Sequence, residues 1–362
     1  MKIAFDHTIF LIQKYGGISR YFLETQSNLK KKHDSRIFCP INLNEFLNEK
    51  SNNNLSFLKI NYIPKYMTKI LNSINYYYNN IYFLKWKPEI IHKTYYNNYS
   101  YKKTKSKIIL NVWDLSHEIY HDMYNKPSSW RPKNEALKNV DHVICSSKKT
   151  QKDLIKFYNF DVKNTSVVYQ GTPNIQSSNK EYNFDFKFFL YVGSRKKYKN
   201  FEIILKALSL NKEILNDYKL ICFGSENLEF SEIQLMEKLN INKKDIILLN
   251  GNDEILQGLY RKAEALIYPS LNEGFGFPPL EAMSLACPVI VSQNEAIKEA
   301  VGEYGFYFNP KDEKSLLDII EKIINKNFDK ENLILNGMKR SNQFNWNKTC
   351  LDIEKIYEKV LA

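Results

Sequence analysis

Several features that mark common protein classes are missing from this chain of 362 residues. No apolar run approaches the roughly 18–20 residues of a membrane span, so we expect a soluble or at most peripheral protein. The five cysteines are dispersed without a Cys-x-x-Cys pair, which predicts reduced thiols in a cytosolic protein rather than a disulfide framework. Asp6 and His7 stand where a signal peptide would need its apolar segment.

Two ligand motifs are missing as well. The first predicted strand is not followed by a Gly-x-Gly-x-x-Gly dinucleotide fingerprint. None of the 15 aspartates stands two positions from another, so the sequence offers no Asp-x-Asp metal site to neutralise a diphosphate. Fixed cations and the amino ends of helices can stabilise the same negative charge without a metal.

Positive charge is concentrated in the first half of the chain. Residues 1–184 hold 28 Lys and Arg against 14 Asp and Glu, whereas residues 185–362 hold 24 against 26. A basic half can meet phosphates, nucleic acid or an anionic membrane surface, and charge alone does not choose among them. Within it, residues 62–86 interleave aromatics with lysines. That pattern suits a lipid headgroup layer, a partly buried pair of surface helices, or stacking on single-stranded nucleic acid.

Alternating strand and helix patterns predict parallel α/β sheets in both halves. In the first half we expect strands at 2–6, 108–112, 142–145 and 166–169, with helices at 18–31 and 148–158. In the second half we expect strands at 188–192, 219–223, 246–249, 265–268, 288–291 and 305–308, with helices between them and two more at 312–326 and 346–361. Polar residues 173–186 have the composition of a linker between domains 1–172 and 187–345.

The stretch Tyr268–Ser292 predicts the main ligand site. A strand ends there in a loop that contains Glu273 and Gly276, and the loop leads into a helix opened by a pair of prolines. Such a unit presents backbone amides to a ligand at the carboxyl end of a parallel strand. We expect Glu281 in the first helical turn. There it either favours the helix dipole, by roughly 0.3–1 kcal/mol, or accepts hydrogen bonds from ligand hydroxyls.

Two further glycine turns are candidate anion sites. The segment 193–200 combines Gly193 with four cations, among them Arg195 and Lys199, before a helix. It suits a diphosphate, and a solvated basic loop is the alternative. Gly16 and Gly17 likewise stand between a predicted strand and a predicted helix.

His117, Glu118 and His121 form a His-Glu-x-x-His motif. On a helix this spacing would place two imidazoles as zinc ligands with Glu118 as the general base of a metalloprotease. The segment directly follows a strand, offers little apolar face, and has only Glu135 or His142 as a third ligand. The other interpretation is a loop that supplies polar groups to a cleft.

Taken together, the motifs resemble glycosyltransferase family 4, the "group 1" retaining glycosyltransferases of GT-B fold. The resemblance covers nearly the whole chain and is strongest at 188–310. It is carried by Glu273-x7-Glu281 within Glu-Gly-Phe-Gly-Phe-Pro-Pro-Leu-Glu-Ala-Met, by Lys199-Asn200 after Tyr-Val-Gly, by Gly16-Gly17-Ile-Ser-Arg-Tyr and by Phe308-Asn-Pro-Lys-Asp.

This resemblance implies two Rossmann-like domains with parallel sheets facing across a cleft, the second holding a nucleotide-sugar donor. It implies that a C-terminal helix at about 346–362 packs back on the first domain. Carried over residue by residue, Glu281 would bind the ribose and Glu273 would lie near the donor sugar. The remaining donor-binding positions are the amides of Phe275, Gly276 and Phe277, the cations Arg195 and Lys199, and the glycines Gly16 and Gly17.

The sequence departs from the family pattern in three places. Trp113 replaces the histidine of a usual His-Asp pair, which leaves Asp114 and His117 as candidates for assisting the acceptor hydroxyl. Ser194 stands where an arginine is common, with Arg195 one place later. Ala286 replaces the glycine usual before Cys-Pro, which we interpret as a packing change.

The resemblance therefore predicts a retaining, metal-independent hexosyltransferase without a cofactor. Its donor would be a GDP-sugar or UDP-sugar carrying mannose or glucose, and its acceptor a glycan or lipid-linked glycan in surface polysaccharide synthesis. We expect a cytoplasmic protein without a nucleic-acid partner, whose basic, aromatic first half suits the anionic inner face of a membrane. A zinc metalloprotease and a basic nucleic-acid-binding protein are the alternatives.

Overall fold

The computed structural model describes residues 1–49, 55–123, 131–172, 184–195, 197–224 and 227–362. They form two compact units, Met1–Gly171 with Trp346–Ala362, and Thr172–Asn345. Most of the predicted linker, residues 173–183, lies outside the described part. Across the described ranges, no helix is both long and apolar enough to cross a membrane.

The first unit contains eight strands among its described residues: β1 (Lys2–Phe5), β2 (Asp34–Ile37), β3 (Ile41–Asn42), β4 (Leu58–Lys59), β5 (Ile90–Lys93), β6 (Lys107–Val112), β7 (His142–Cys145) and β8 (Thr165–Val167). Six of them form a parallel sheet in the order β2-β1-β5-β6-β7-β8. Apolar runs such as those of β1 and β6 are buried along nearly their whole length, as a sheet covered on both faces requires. The helices are α1 (Thr8–Ile12), α2 (Gly17–Leu29), α3 (Glu45–Glu49), α4 (Lys65–Trp86), α5 (Ser116–Ile119), α6 (Arg131–Leu137) and α7 (Lys148–Tyr158).

Several features of this unit differ from the sequence-based expectation, among them the following. The loop expected after β1 contains the short helix α1. The aromatic, basic segment forms one helix of 22 residues, α4, instead of a helix pair. Strands β2 and β5 were not expected, because Asp-Ser-Arg-Ile and Ile-Ile-His-Lys are short and rich in polar residues.

The second unit contains the six strands expected for it, with bounds that differ by at most one residue. The strands are β9 (Lys187–Val192), β10 (Tyr218–Phe223), β11 (Ile246–Leu249), β12 (Leu266–Tyr268), β13 (Val289–Ser292) and β14 (Phe306–Phe308). Their order in the sheet is β11-β10-β9-β12-β13-β14, and all neighbours are parallel. The helices are α8 (Glu202–Leu210), α9 (Ile214–Asp217), α10 (Phe230–Leu239), α11 (Asp253–Lys262), α12 (Phe277–Ser284), α13 (Glu295–Val301), α14 (Glu313–Ile324) and α15 (Lys330–Asn342).

The last helix, α16 (Trp346–Leu361), belongs to the first unit. Its buried side chains join that unit's core, and the Trp346 ring lies 5.6 Å from the Tyr21 ring. The Tyr357 hydroxyl lies 2.6 Å from Nδ1 of His92 on β5, whose Nε2 lies 2.6 Å from Oδ1 of Asn111. These hydrogen bonds link three polar side chains inside an apolar core. They therefore fix the position of α16 on the first unit.

Burial lowers the pKa of His92 to about 4, because the charged imidazolium would be removed from water. In the unfolded chain His92 binds a proton near its ordinary pKa of 6.5. Above that pH, protonation of His92 therefore does not reduce the unfolding free energy. Stability is then lost progressively as the pH falls from 6.5 to about 4.

Replacing His92 by Asn should remove this part of the pH dependence. We expect the wild type to lose about 2 kcal/mol more unfolding free energy than His92→Asn between about pH 7 and about pH 5, measured by urea denaturation. His121 is 65% exposed, so His121→Asn should behave like the wild type. Equal losses in the wild type and His92→Asn would contradict the assignment.

Candidate functional site

The strand order of the second unit reverses beside β9, and both predicted ligand loops begin there. Strands β10 and β11 lie on one side of β9, and β12 to β14 lie on the other. In open parallel sheets a crevice forms outside the carboxyl ends of the strands at such a switch point. The loop after β9 starts with Gly193, whose φ of 119° is unfavourable for residues with a side chain. The topology thus brings the cationic turn 193–200 beside the loop 269–276.

The two loops are joined by direct hydrogen bonds. The Leu271 amide donates to the Tyr198 carbonyl at 2.7 Å, and Asn200, in the left-handed region at φ 56°, donates to the Pro269 carbonyl at 3.2 Å. The opposite side of the loop is held by β13 and the start of α13. Three successive carbonyls, those of Pro269, Ser270 and Leu271, accept from the side chains of Asn200, Ser292 and Asn294 at 3.2, 2.5 and 3.0 Å. We define this arrangement as the loop clamp.

Lys199 and Glu273 form an ion pair at the clamp. Lys199 Nζ lies 2.6 Å from Glu273 Oε1, and the two side chains are 19% and 12% exposed. The ammonium also lies 5.2 Å from the Tyr198 ring centre and 5.8 Å from that of Tyr268. Burial, reinforced by the negative charge of Glu273, raises the pKa of the Tyr268 hydroxyl well above its ordinary value. One fixed cation and one fixed carboxylate therefore stand side by side in a partly dehydrated setting.

Helix α12 begins at Phe277, after Gly276 with φ 100° as its N-cap. Pro278 and Pro279 have no backbone N–H, so two of the first-turn donors that a helix normally leaves unpaired are missing. The amide donors at this end are those of Gly276 and Phe277. The side chain of Phe275 is buried against the Phe344 ring at 5.3 Å, while Phe277 is half-buried.

The expectation that Glu281 lies in the first turn of this helix is wrong. The helix starts before the prolines, so Glu281 is its fifth residue, and the first turn contains no acidic residue. A favourable interaction with the helix dipole decays within the first turn and does not explain this carboxylate. The buried Tyr260 hydroxyl of α11 donates to Glu281 Oε2 at 3.2 Å. Burial and this carboxylate together raise the pKa of Tyr260 well above its ordinary value, so the hydroxyl remains a donor.

Arg195 is engaged by a neighbouring carboxylate. Its Nε and Nη2 donate to the two oxygens of Glu232 at 2.8 and 3.1 Å, and both side chains are buried. Nη2 also donates to the Asn227 carbonyl at 2.9 Å. This fork ties the turn after β9 to α10, and the role of Arg195 in donor binding stays a prediction.

In the first unit, Gly16 and Gly17 lie at the start of α2. A β-carbon on Gly16 would clash with the amide group of Gln13, whose Oε1 accepts from the Ser19 amide at 3.2 Å. A β-carbon on Gly17 would meet nothing within 4 Å. Because the Gln13 amide group is the end of a flexible side chain that can move, packing does not by itself require glycine at position 16, and the roles of Gly16 and Gly17 in ligand approach stay predictions.

Asp114 and His117 lie at the carboxyl end of β6. Oδ1 of Asp114 accepts from the Ser116 amide at 2.8 Å and so starts α5, which carries His117. The Asp114 carbonyl accepts from Lys133 Nζ at 2.7 Å. The loop carrying both candidate acceptor-side residues is therefore held by a buried cation.

The geometry does not support the metalloprotease alternative. Glu118 is buried in an ion pair with Lys133, 2.8 Å between Oε1 and Nζ, and accepts from the Tyr158 hydroxyl at 2.5 Å. His121 lies beyond the end of α5 and contacts Asp122. Within the described ranges, no three His, Cys, Asp or Glu side chains are grouped so that they could hold a metal ion. The motif is explained by a structural network around Glu118.

Sequence reasoning named Asn200 only as part of a motif, without a role, and missed Tyr260. Asparagine tolerates the left-handed region, and its position directly after a basic turn was a usable signal for Asn200. Tyr260 stands 21 residues before Glu281 on another helix, and no local pattern connects the two.

Known protein families and solved structures resemble this chain. Residues 174–340 match the family described as "Glycosyl transferases group 1", and residues 15–173 match "Glycosyltransferase Family 4". The chain is 35% identical over 193 residues to the O-antigen chain mannosyltransferase RfbU of Salmonella typhimurium, covering 52% of each chain. It is 27% identical over 189 residues to the serotype-specific mannosyltransferase WbdA of Escherichia coli, covering 51% of this chain and 23% of that one. The matched region thus spans about half the length of RfbU and about a quarter of the length of WbdA.

Among solved structures, Anabaena Alr3699/HepE in complex with UDP-glucose is similar with a TM-score of 0.73 at 16% identity. The alignment covers 99% of this chain and 100% of that one. At this identity the similarity concerns the fold, and it confirms the predicted GT-B class of two Rossmann-like units.

The clamp predicts a specific role for Asn200. Asn200→Ala removes two side-chain hydrogen bonds, to the carbonyls of Pro269 and Pro310, and should cost about 1–3 kcal/mol of unfolding free energy. Hydrogen exchange of the Leu271 amide should accelerate. Asn240 also has a left-handed backbone, at φ 52°, so Asn240→Ala is the matched control for backbone strain alone. Equal exchange of Leu271 in the two variants would refute the clamp.

Proposed function

The chain belongs to the group 1 and family 4 glycosyltransferases, and on that premise we propose that it transfers a hexose from a nucleoside-diphosphate sugar to a glycan acceptor. The observation that carries this proposal is the Lys199–Glu273 ion pair, held by the clamp beside the amino end of α12. A fixed cation and a fixed carboxylate a few ångströms apart suit a reaction that separates charge.

In the proposed reaction the bond between C1 of the hexose and the diphosphate oxygen breaks. The electron pair leaves with the nucleoside diphosphate, and the acceptor oxygen bonds to C1 as its proton is released. Lys199 and the amides of Gly276 and Phe277 provide positive charge where the leaving group becomes negative. Glu273 provides negative charge near C1, which becomes positive. We propose retention at C1, as the family resemblance implies.

Glu281 is proposed to accept hydrogen bonds from the ribose hydroxyls of the donor. Its position beyond the first helical turn leaves its charge without a dipole-based explanation. The Tyr260 hydroxyl donates a hydrogen bond to Oε2 of Glu281 and so favours one orientation of the carboxylate. A carboxylate held in this way loses less conformational entropy when it binds a diol.

Mannose is the proposed sugar. This choice is supported by the names of two relatives, both mannosyltransferases, one of them of the O-antigen chain. A structural neighbour was solved with UDP-glucose, so UDP-glucose belongs in any donor screen beside GDP-mannose. The proposed acceptor is a glycan or lipid-linked glycan of a surface polysaccharide, at the inner face of a membrane. Asp114 and His117 are the candidates for taking the acceptor proton.

Metal independence is part of the proposal. It is supported by the lack of an Asp-x-Asp pair in the sequence and by the presence of a fixed cation, Lys199, at the switch point. No observation favours the nucleic-acid-binding alternative over this function.

Removing the cation tests the proposed function directly. Lys199→Ala should lower kcat for sugar transfer or donor hydrolysis by about 10²-fold, because a preorganised charge on the leaving group is lost. Lys197→Ala removes an exposed lysine two positions away and should retain activity. Activity with GDP-mannose or a UDP-sugar should persist in EDTA. No turnover of any nucleotide sugar, or equal activity in both variants, would contradict the proposal.

The hydrogen bond between Tyr260 and Glu281 leads to a separate prediction about nucleotide binding. Glu281→Gln should weaken binding of the nucleoside diphosphate by about 10-fold or more, and Tyr260→Phe by a smaller factor, because one hydrogen bond to a charged group contributes about 1.5–3 kcal/mol. Calorimetric titration with GDP and UDP measures both effects. Glu295→Gln alters an exposed carboxylate on α13 and should bind like the wild type. Unchanged affinity in Glu281→Gln would remove Glu281 from the site.

A further inference from the structure

Helix α4 exposes a stripe of large apolar side chains. Tyr66, Ile70, Ile74, Tyr77 and Leu84 are 76%, 56%, 37%, 67% and 48% exposed. Their spacings of four, three and seven residues place them along one side of the helix. We call these five residues the α4 face. With 22 residues, the helix that carries it is about 33 Å long.

The opposite side of α4 is already fixed to the unit, so the α4 face is not a core face turned outward. Phe83 is buried, with its ring 5.0 Å from that of Phe38. Asn75 accepts from the Ile41 amide at 2.9 Å and donates to the Ile41 carbonyl at 2.8 Å. Asn79 donates to the Phe38 carbonyl at 2.9 Å. Rotating the helix would break these buried bonds, so the α4 face remains outside.

The charge around the α4 face has one sign. Residues 55–88 contain five lysines and neither aspartate nor glutamate. Lys69 and Lys85 are exposed beside the α4 face, and Lys87 follows the helix. The next acidic residue, Glu89, accepts from the Lys2 amide at 2.8 Å. An occupant of this surface should therefore combine apolar material with negative charge.

We propose that the α4 face lies on an anionic lipid surface, with the helix parallel to the membrane plane. Its aromatic and aliphatic side chains enter the boundary between headgroups and acyl chains, and Lys69 and Lys85 reach the lipid phosphates. A second copy of the chain fits less well, because a two-fold contact would set these lysines against each other. Nucleic acid fits less well too, because Ile70, Ile74 and Leu84 offer no aromatic plane for base stacking.

This inference goes beyond the proposed transfer reaction and does not depend on it. Membrane attachment by the first unit would hold the enzyme where a lipid-linked acceptor is found. The contact itself needs neither donor nor acceptor, so it can be measured without turnover. Its failure would leave the proposed sugar transfer untouched.

Vesicle sedimentation of the full chain tests the proposal. The wild type should bind vesicles of phosphatidylcholine mixed with phosphatidylglycerol, bind phosphatidylcholine alone weakly, and be partly released by salt. Lys69→Gln with Lys85→Gln should weaken binding by about fivefold per lysine. Tyr66→Ser with Tyr77→Ser should weaken it by at least about tenfold.

Matched controls come from α15 in the other unit, which has exposed lysines and exposed apolar residues on one helix. Lys330→Gln with Lys339→Gln, and Leu335→Ser with Met338→Ser, should bind vesicles like the wild type. Thermal unfolding checks that every variant is folded, and donor hydrolysis without vesicles should be equal in all of them.

Three results would overturn the proposal. One is a wild type that does not bind anionic vesicles. Another is equal loss of binding in the α4 and α15 variants, which would indicate nonspecific attraction. The third is a wild-type dimer that becomes a monomer in Tyr66→Ser with Tyr77→Ser while vesicle binding is absent, which would make the α4 face a contact between copies.

Discussion

The reversal of strand order beside β9 is the constraint on which the candidate site depends. It places the loops after β9 and β12 side by side at the carboxyl ends of neighbouring strands, where side chains can join them. The clamp does so by pairing three successive loop carbonyls with side chains from the turn after β9, from β13 and from the start of α13. Because these donors come from three separate elements, the loop is held from several directions, which is how a site becomes preorganised.

Two cations of this site are each paired with a carboxylate. Lys199 is paired with Glu273, and Arg195 with Glu232, all at partly or fully buried positions. A buried cation without a partner would be costly, so each carboxylate keeps its cation in place before any ligand arrives. An incoming diphosphate would share Lys199 with Glu273, whereas the two-point fork between Arg195 and Glu232 is harder to open. In the sequence, Lys199 and Arg195 are equal candidates for binding the diphosphate. Their carboxylate partners make Lys199 the more accessible of the two.

The sequence was sufficient for the frame of the second unit, because its buried strands are continuous apolar runs separated by helix signals. It was insufficient for β2 and β5, whose polar residues are accommodated by partners distant in the chain, as His92 is by Asn111 and Tyr357. Both loops of the site could be located from glycines and charge. The start of α12 could not, since a proline pair is compatible with several first-turn positions, and Glu281 therefore lies one or two residues further into the helix than expected, beyond its first turn. The His-Glu-x-x-His spacing was misleading because a local motif does not reveal that Lys133 and Tyr158 surround its glutamate.

The return of α16 to the first unit makes that unit discontinuous in the chain, with the second unit inserted between its two parts. During synthesis, every residue of the second unit is available to fold once residue 345 has left the ribosome. The first unit must wait until Tyr357 emerges before the hydroxyl that bonds His92 is present. The unit that translation begins first is therefore the last to have its complete sequence available.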